Sequence, residues 1–148
     1  KGASFLEIYQ NCNIFNDGAF EIFTEKSTKA EETLFLEQGQ PLVFGAGQDK
    51  GIKLDGFKPV IVDFNKGGSK DDCWVHDEHD FYKAQILIRM FYDPRLEGHL
   101  PRPFGVFYET QRACYEDLMD MQIQEIIAQK GPGDLDKLLR GRETWTIS

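Results

Sequence analysis

Four groups of residues in this 148-residue chain are of types that can do chemistry. Cys73, His76 and His79 recur at three-residue spacing, which on a helical turn sets a thiolate and two imidazoles on one side, as zinc requires. A closed structural zinc takes four ligands and no fourth is evident. The plainer reading is an acidic helix start, with Asp77, Glu78 and Asp80 set against the positive end of a helix dipole. Gly45, Gly47, Lys50 and Gly51 suggest a phosphate cradle, but such cradles aim the N–H groups of a helix N-terminus at the anion. Residues 52–56 alternate like a strand instead, so a hairpin loop is expected. Glu116, Asp117 and Asp120 bring carboxylates together on the polar side of a helix, where a solvated face accounts for them. Cys12 is the fourth candidate. It stands among Asn11, Asn13, Asn16, Asp17 and Gly18, directly after an apolar stretch, where a strand's end opens on a crevice. On residue type alone, a lone cysteine is most often a small core side chain.

The elements that must position these residues are legible as periodicities. Residues 4–10 are apolar on both alternating faces, Leu6 and Ile8 one way and Phe5 and Tyr9 the other, which predicts a strand buried on both sides. Such a strand is an odd opening for a domain, and we expect βα units upstream of it. Residues 11–18 are turn formers, and Asn16 or Asp17 is placed to cap a short helix over 19–23. After an exposed polar stretch, residues 33–36 and 42–44 read as strands around the turn 37–41. Residues 52–54 and 60–64 read as strands around Asp55 and Gly56, with Pro59 marking an edge.

Asp77 or Asp80 starts a helix expected to reach Tyr92, its apolar face made by Ala84, Leu87, Ile88 and Phe91, and Pro94 ends it. Residues 100–107, with Pro101 and Pro103, are extended. A longer helix spans 110–130 with Tyr115, Leu118, Met119, Ile123, Ile126 and Ile127 as its stripe, stopped by Gly131, Pro132 and Gly133. Asp134 caps a last short helix holding Leu135, Leu138 and Leu139.

Composition bounds the rest. Forty-one per cent hydrophobic residues and twelve Phe are ample for one core, while a net charge of −8 repels phosphate backbones and anionic lipid. Nucleic acid and membrane are therefore not expected as partners. No apolar run approaches the ~20 residues of a spanning helix, and the first residues lack the apolar segment of a signal peptide. Three scattered cysteines without a CxxC argue against a disulfide framework and for a reducing, cytoplasmic setting.

The first twenty residues, Lys1-Gly-Ala-Ser-Phe-Leu-Glu-Ile-Tyr-Gln-Asn-Cys-Asn-Ile-Phe-Asn-Asp-Gly-Ala-Phe20, resemble a stretch in the β subunits of 2-oxoacid:ferredoxin oxidoreductases, those of the 2-oxoglutarate type above all. Val75-His-Asp-Glu78 and Leu100-Pro-Arg-Pro-Phe-Gly-Val-Phe107 resemble the C-terminal region of the same subunits, in the same order. In that family the first stretch follows the thiamine-diphosphate core. The resemblance implies the C-terminal part of a subunit that, with its α subunit, converts a 2-oxoacid, coenzyme A and oxidised ferredoxin to acyl-CoA, carbon dioxide and reduced ferredoxin. Thiamine diphosphate with Mg²⁺ and a [4Fe–4S] cluster are the cofactors it implies.

Four cysteines hold that cluster in the family, and the resemblance puts the fourth at Cys12. Clusters draw their thiolates from distant parts of a chain. Asn11, Asn13, Asn16 and Gly18 would then direct backbone N–H groups at the cluster sulfurs. The family's GDG…N and CxxC motifs are absent here, and Cys73 and Cys114 match no ligand position, so both are expected to be structural.

These readings imply an α/β fold, α+β in the extension: the C-terminal part of a thiamine-diphosphate-binding fold with β-hairpins and C-terminal helices. Residues 1–32 would be the last strand and helix of the cofactor domain and 33–148 the extension. Cys12 is the metal ligand, with no catalytic or cofactor-binding residue assigned, and the isolated piece is expected to be inactive and to bind no cofactor. The alternatives are a stand-alone interaction module without chemistry and a small zinc protein.

Overall fold

A computed structural model of the chain describes residues 2–90, 99–142, 145 and 147. It divides into two compact units, one of Leu6–Thr110 and one of Gln111–Ser148 with the first five residues.

In the larger unit a helical turn, α1 (Lys29–Glu32), leads directly into β1 (Thr33–Phe35). Strands β2 (Val43–Phe44), β3 (Lys50–Asp55) and β4 (Lys58–Asp63) follow, then helix α2 (Phe81–Ile88) and β5 (Arg102–Phe104). Helices and strands are mixed, in parallel and antiparallel pairings, as an α/β reading requires. Strands β2, β3 and β4 make an antiparallel sheet in that order. Asp55 pairs with Lys58, leaving a loop of Gly56 and Phe57, and Gly56 takes the left-handed φ of 62° that such a tight turn demands. Pro59, which has no N–H to give a ladder, stands on the edge strand β4 as its chemistry dictates.

The core is a cluster of Leu34, Leu36, Leu42, Phe44, Ile52, Trp74, Leu87 and Met90. Backbone bonds close around it. The Leu42 N–H donates to the Trp74 carbonyl at 2.9 Å, Trp74 to Ile52 at 2.7 Å, and Ile52 back to Leu42 at 2.9 Å. The approach is close at Gly51, where a Cβ would lie 2.2 Å from the Cys73 sulfur. Cys73 is buried and its thiol donates to the Ser69 carbonyl at 3.7 Å.

Several expectations hold and several change. Asp80 caps α2 by accepting the Lys83 N–H at 3.0 Å, and Ala84 and Leu87 are buried. That helix stops at Ile88, which is half exposed, so its end lies before the expected Tyr92. Phe91, Tyr92 and Pro94 lie outside the described residues. The 37–41 turn forms, but it does not make a hairpin. β1 pairs in parallel with β5, Leu34 opposite Pro103, while β2 gives its ladder to β3.

Residues 4–10 are the largest correction. They form no strand, and Phe5, Leu6 and Ile8 are 92%, 77% and 69% exposed. A strand is stable only beside a neighbour that completes its ladder, and no strand pairs with it among the described residues. Tyr9 instead stacks on Phe20 at 4.6 Å and meets Phe104 edge-on at 5.7 Å.

In the smaller unit, α3 (Tyr115–Lys130) ends at Gly131, whose N–H donates to Ile127 at 2.8 Å. It begins five residues later than the periodicity predicts, with Cys114 at its N-cap. Asp134 caps α4 (Leu135–Arg140) by accepting the Lys137 N–H at 3.0 Å. No helix among the described residues is long and apolar enough to cross a membrane.

Candidate functional site

The loop 11–18 is built by one side chain. Asn11 Nδ2 donates to Asn13 Oδ1 and to Asp17 Oδ1, each at 2.9 Å, and Asn11 Oδ1 accepts the Gly18 N–H at 2.9 Å. This is the local hydrogen bonding that makes asparagine a loop former. Asp17 is thus spent on Asn11. The expected helix over 19–23 shrinks to a 3₁₀ turn at Glu21–Phe23 without a side-chain cap, begun by the Glu21 N–H on the Gly18 carbonyl at 3.1 Å.

Cys12 sits inside this frame. Its carbonyl accepts the Asn16 N–H at 2.9 Å, closing the turn. Its thiol is half-buried, and the backbone N–H groups of Phe15 and then Ile14 hold its pKa below the ordinary thiol value, with Asn16 adding to them against a small burial penalty. A ring of N–H donors is what stabilises a thiolate. Of the N–H groups expected to face a sulfur, that of Asn16 goes to the Cys12 carbonyl and that of Gly18 to Asn11 Oδ1, while Asn11 ties the frame. Ile14 and Phe15 project their side chains into solvent at the loop's tip.

The residues present fit one corner of an iron–sulfur cluster and no more. Among the described residues no group of three or more His, Cys, Asp or Glu side chains is arranged to hold a metal ion. Cys73, His76 and His79 are each engaged elsewhere. The buried His76 donates from Nε2 to the Val106 carbonyl at 2.8 Å, and His79 Nδ1 donates to the Glu109 carbonyl at 3.1 Å. Burial pushes the Cys73 thiol pKa up, consistent with an inert structural thiol. Gly45, Gly47, Lys50 and Gly51 lie on the β2–β3 hairpin, and Glu116, Asp117 and Asp120 are exposed on α3.

No family profile matches the chain, and no solved structure matches it. The chain is similar to 2-oxoglutarate oxidoreductase subunit KorB of Mycobacterium tuberculosis, with 31% identity over 151 residues that take in 99% of this chain. It is related to that subunit along almost its whole length. The chain spans 39% of the KorB length, so the larger part of that protein has no counterpart here. The β-subunit resemblance drawn from residues 1–20, 75–78 and 100–107 is thus matched by an alignment with a named oxidoreductase subunit.

Sequence reading did not find the aromatic cluster of Tyr9, Phe20, Phe23 and Phe104, which carries the loop's flanks. Nor did it find the ion pair of Lys50 Nζ and Glu31 at 2.6 Å, which ties α1 to β3. The partners are far apart in sequence, and no local pattern announces them.

Proposed function

We propose that this chain is the C-terminal part of the β subunit of a 2-oxoglutarate:ferredoxin oxidoreductase and that Cys12 is one thiolate ligand of its [4Fe–4S] cluster. The observation carrying this reading is the alignment of 99% of the chain with KorB, beside a Cys12 held in the 11–18 turn by the Asn16 N–H on its own carbonyl. When bound, the cluster supplies one-electron transfer, and thiamine diphosphate with Mg²⁺ supplies decarboxylation of the 2-oxoacid. This chain's own contribution is narrower. Residues 11–18 hold one sulfur in a fixed place, and their N–H groups lower the negative charge felt there, which raises a cluster's potential.

Residues 1–32 belong in this reading to the cofactor domain and 33–148 to the subunit's extension. Residues 4–10, apolar on both faces and exposed, become a strand when the preceding part of the sheet lies beside them. The partners are the α subunit and ferredoxin, the substrates a 2-oxoacid and coenzyme A, and the setting cytoplasmic. The piece alone is inactive, since CxxC and GDG…N are absent from its sequence.

In the intact oxidoreductase, Cys12→Ser removes the low-temperature paramagnetic signal of the reduced cluster and lowers bound iron and sulfide. A variant with undiminished iron, sulfide and signal overturns the assignment. For the chain alone, purification with stoichiometric iron and sulfide contradicts the view that its other ligands lie elsewhere.

A further inference from the structure

The apolar side of α3 is uncovered among the described residues of its unit. Tyr115, Leu118, Met119, Ile123, Ile126 and Ile127 are each 40–76% exposed, and their spacings of three and four wind one stripe along the 16-residue helix. Leu135, Leu138 and Leu139 of α4 are 67–77% exposed themselves, so α4 does not bury that stripe. A helix of this length is marginal in water until such a face is packed, and continuous apolar surface of this kind marks a place of contact.

Charge is spread unevenly along the same helix. Glu116, Asp117 and Asp120 crowd its first turns, Lys130 is its last residue, and Glu125 is its only other charged residue. A helix lying along the stripe therefore meets acid at one end and base at the other. A second α3 matches both ends only when it runs antiparallel. Lys130 of each copy then lies beside Glu116 of the other, and the apolar residues meet between them, with Ile123 nearest the middle. In a parallel pair acid faces acid and base faces base. Flanking charges of this sort select the partner and direction of a helical seam.

We propose that α3 is a self-association surface, on which a second copy of this chain packs its own α3 in the antiparallel direction. One sequence supplies both halves of the match, the apolar stripe and the complementary ends. Neither Cys12 nor its loop takes part, so the pairing is independent of any cluster held there. The net charge of −8 opposes the approach of a copy, and the pairing is best measured at moderate ionic strength, where the Debye length is about 8–10 Å and only adjacent charges are felt.

Sedimentation velocity of the full chain over a concentration series is expected to show a monomer–dimer equilibrium. Ile123→Asp leaves the chain monomeric, whereas Gln124→Asp, the same charge on the opposite side of the helix, leaves it dimeric. Both keep the urea midpoint of the larger unit, whose core lies within 34–90. Glu116→Lys and Lys130→Glu each make both end contacts repulsive and weaken association about tenfold. An equimolar mixture of these two variants recovers the affinity of the unaltered chain, because every lysine then meets a glutamate across the seam. A chain monomeric at every concentration, equal effects of Ile123→Asp and Gln124→Asp, single charge variants as tight as the unaltered chain, or a mixture no tighter than its components overturns the proposal.

Discussion

At the residue scale the two best-placed cysteines differ because their surroundings do. Cys12 faces N–H groups that favour its thiolate, whereas Cys73 is buried beneath Gly51. Iodoacetamide is expected to label Cys12 at lower pH than Cys73, with the rate–pH midpoint below the ordinary thiol value for the first and above it for the second. Asn11→Ala removes the frame of the 11–18 loop and moves the Cys12 midpoint up; an unmoved midpoint means the N–H groups stay aimed without it. His79 shows the opposite linkage. Its pKa is raised chiefly by the Glu109 carbonyl that its ring N–H reaches, with Asp77 adding to it and burial opposing. The fold therefore favours the protonated ring. Its contribution is fully present below the ordinary imidazole value and is lost as pH rises through the higher folded value. A proton NMR titration should place His79 above that ordinary value, and His79→Gln should flatten this part of the stability–pH profile.

At the element scale β3 lies close against the segment behind it. Gly51→Ala puts a methyl 2.2 Å from the Cys73 sulfur, 3.0 Å from the Phe64 ring and 3.2 Å from the Leu42 carbonyl. Overpacking of this kind costs about 1–3 kcal/mol, read as a lower urea midpoint. Gly51→Ala combined with Cys73→Ala recovers part of the loss if the sulfur is the main obstacle. Asp80→Ala removes the α2 cap and costs about 1 kcal/mol by the same measurement. The two changes meet in one core, because Leu87 on α2 and Ile52 on β3 pack in the same cluster.

At the scale of the molecule the two units have different supports. The core cluster draws all its residues from 34–90. In the smaller unit no described residue from 115 onward is buried, and Leu118, Ile126, Leu138 and Trp145 stand in solvent. Short helices in water are marginal without packing on an apolar face. Truncation after Thr110 is therefore expected to leave cooperative urea unfolding with a midpoint close to that of the whole chain. Loss of that transition shows that residues 111–148 support the larger unit. Apolar helix faces left open also suit the proposed role as one portion of a larger assembly.

Where patterns are local, the amino-acid sequence alone was enough. Asp134 caps the helix it precedes, as does Asp80, one of the two starts the sequence offered; Gly56 turns β3 into β4, Pro59 stands at an edge, and Gly131 ends α3, because each acts through its own backbone and its nearest neighbours. The resemblance to an oxidoreductase subunit, which the alignment with KorB matches, was also legible in residue order, as was the loop around Cys12. Tertiary structure alone decided what depends on partners distant in the chain. It gave β1 to β5 in parallel, left residues 4–10 unpaired, turned His76 and His79 to carbonyls rather than to a metal, and joined Lys50 to Glu31. The physical reason is that a residue's own preferences act over a few bonds, whereas a strand's ladder, a ligand set or a long-range ion pair exists only once remote segments have met.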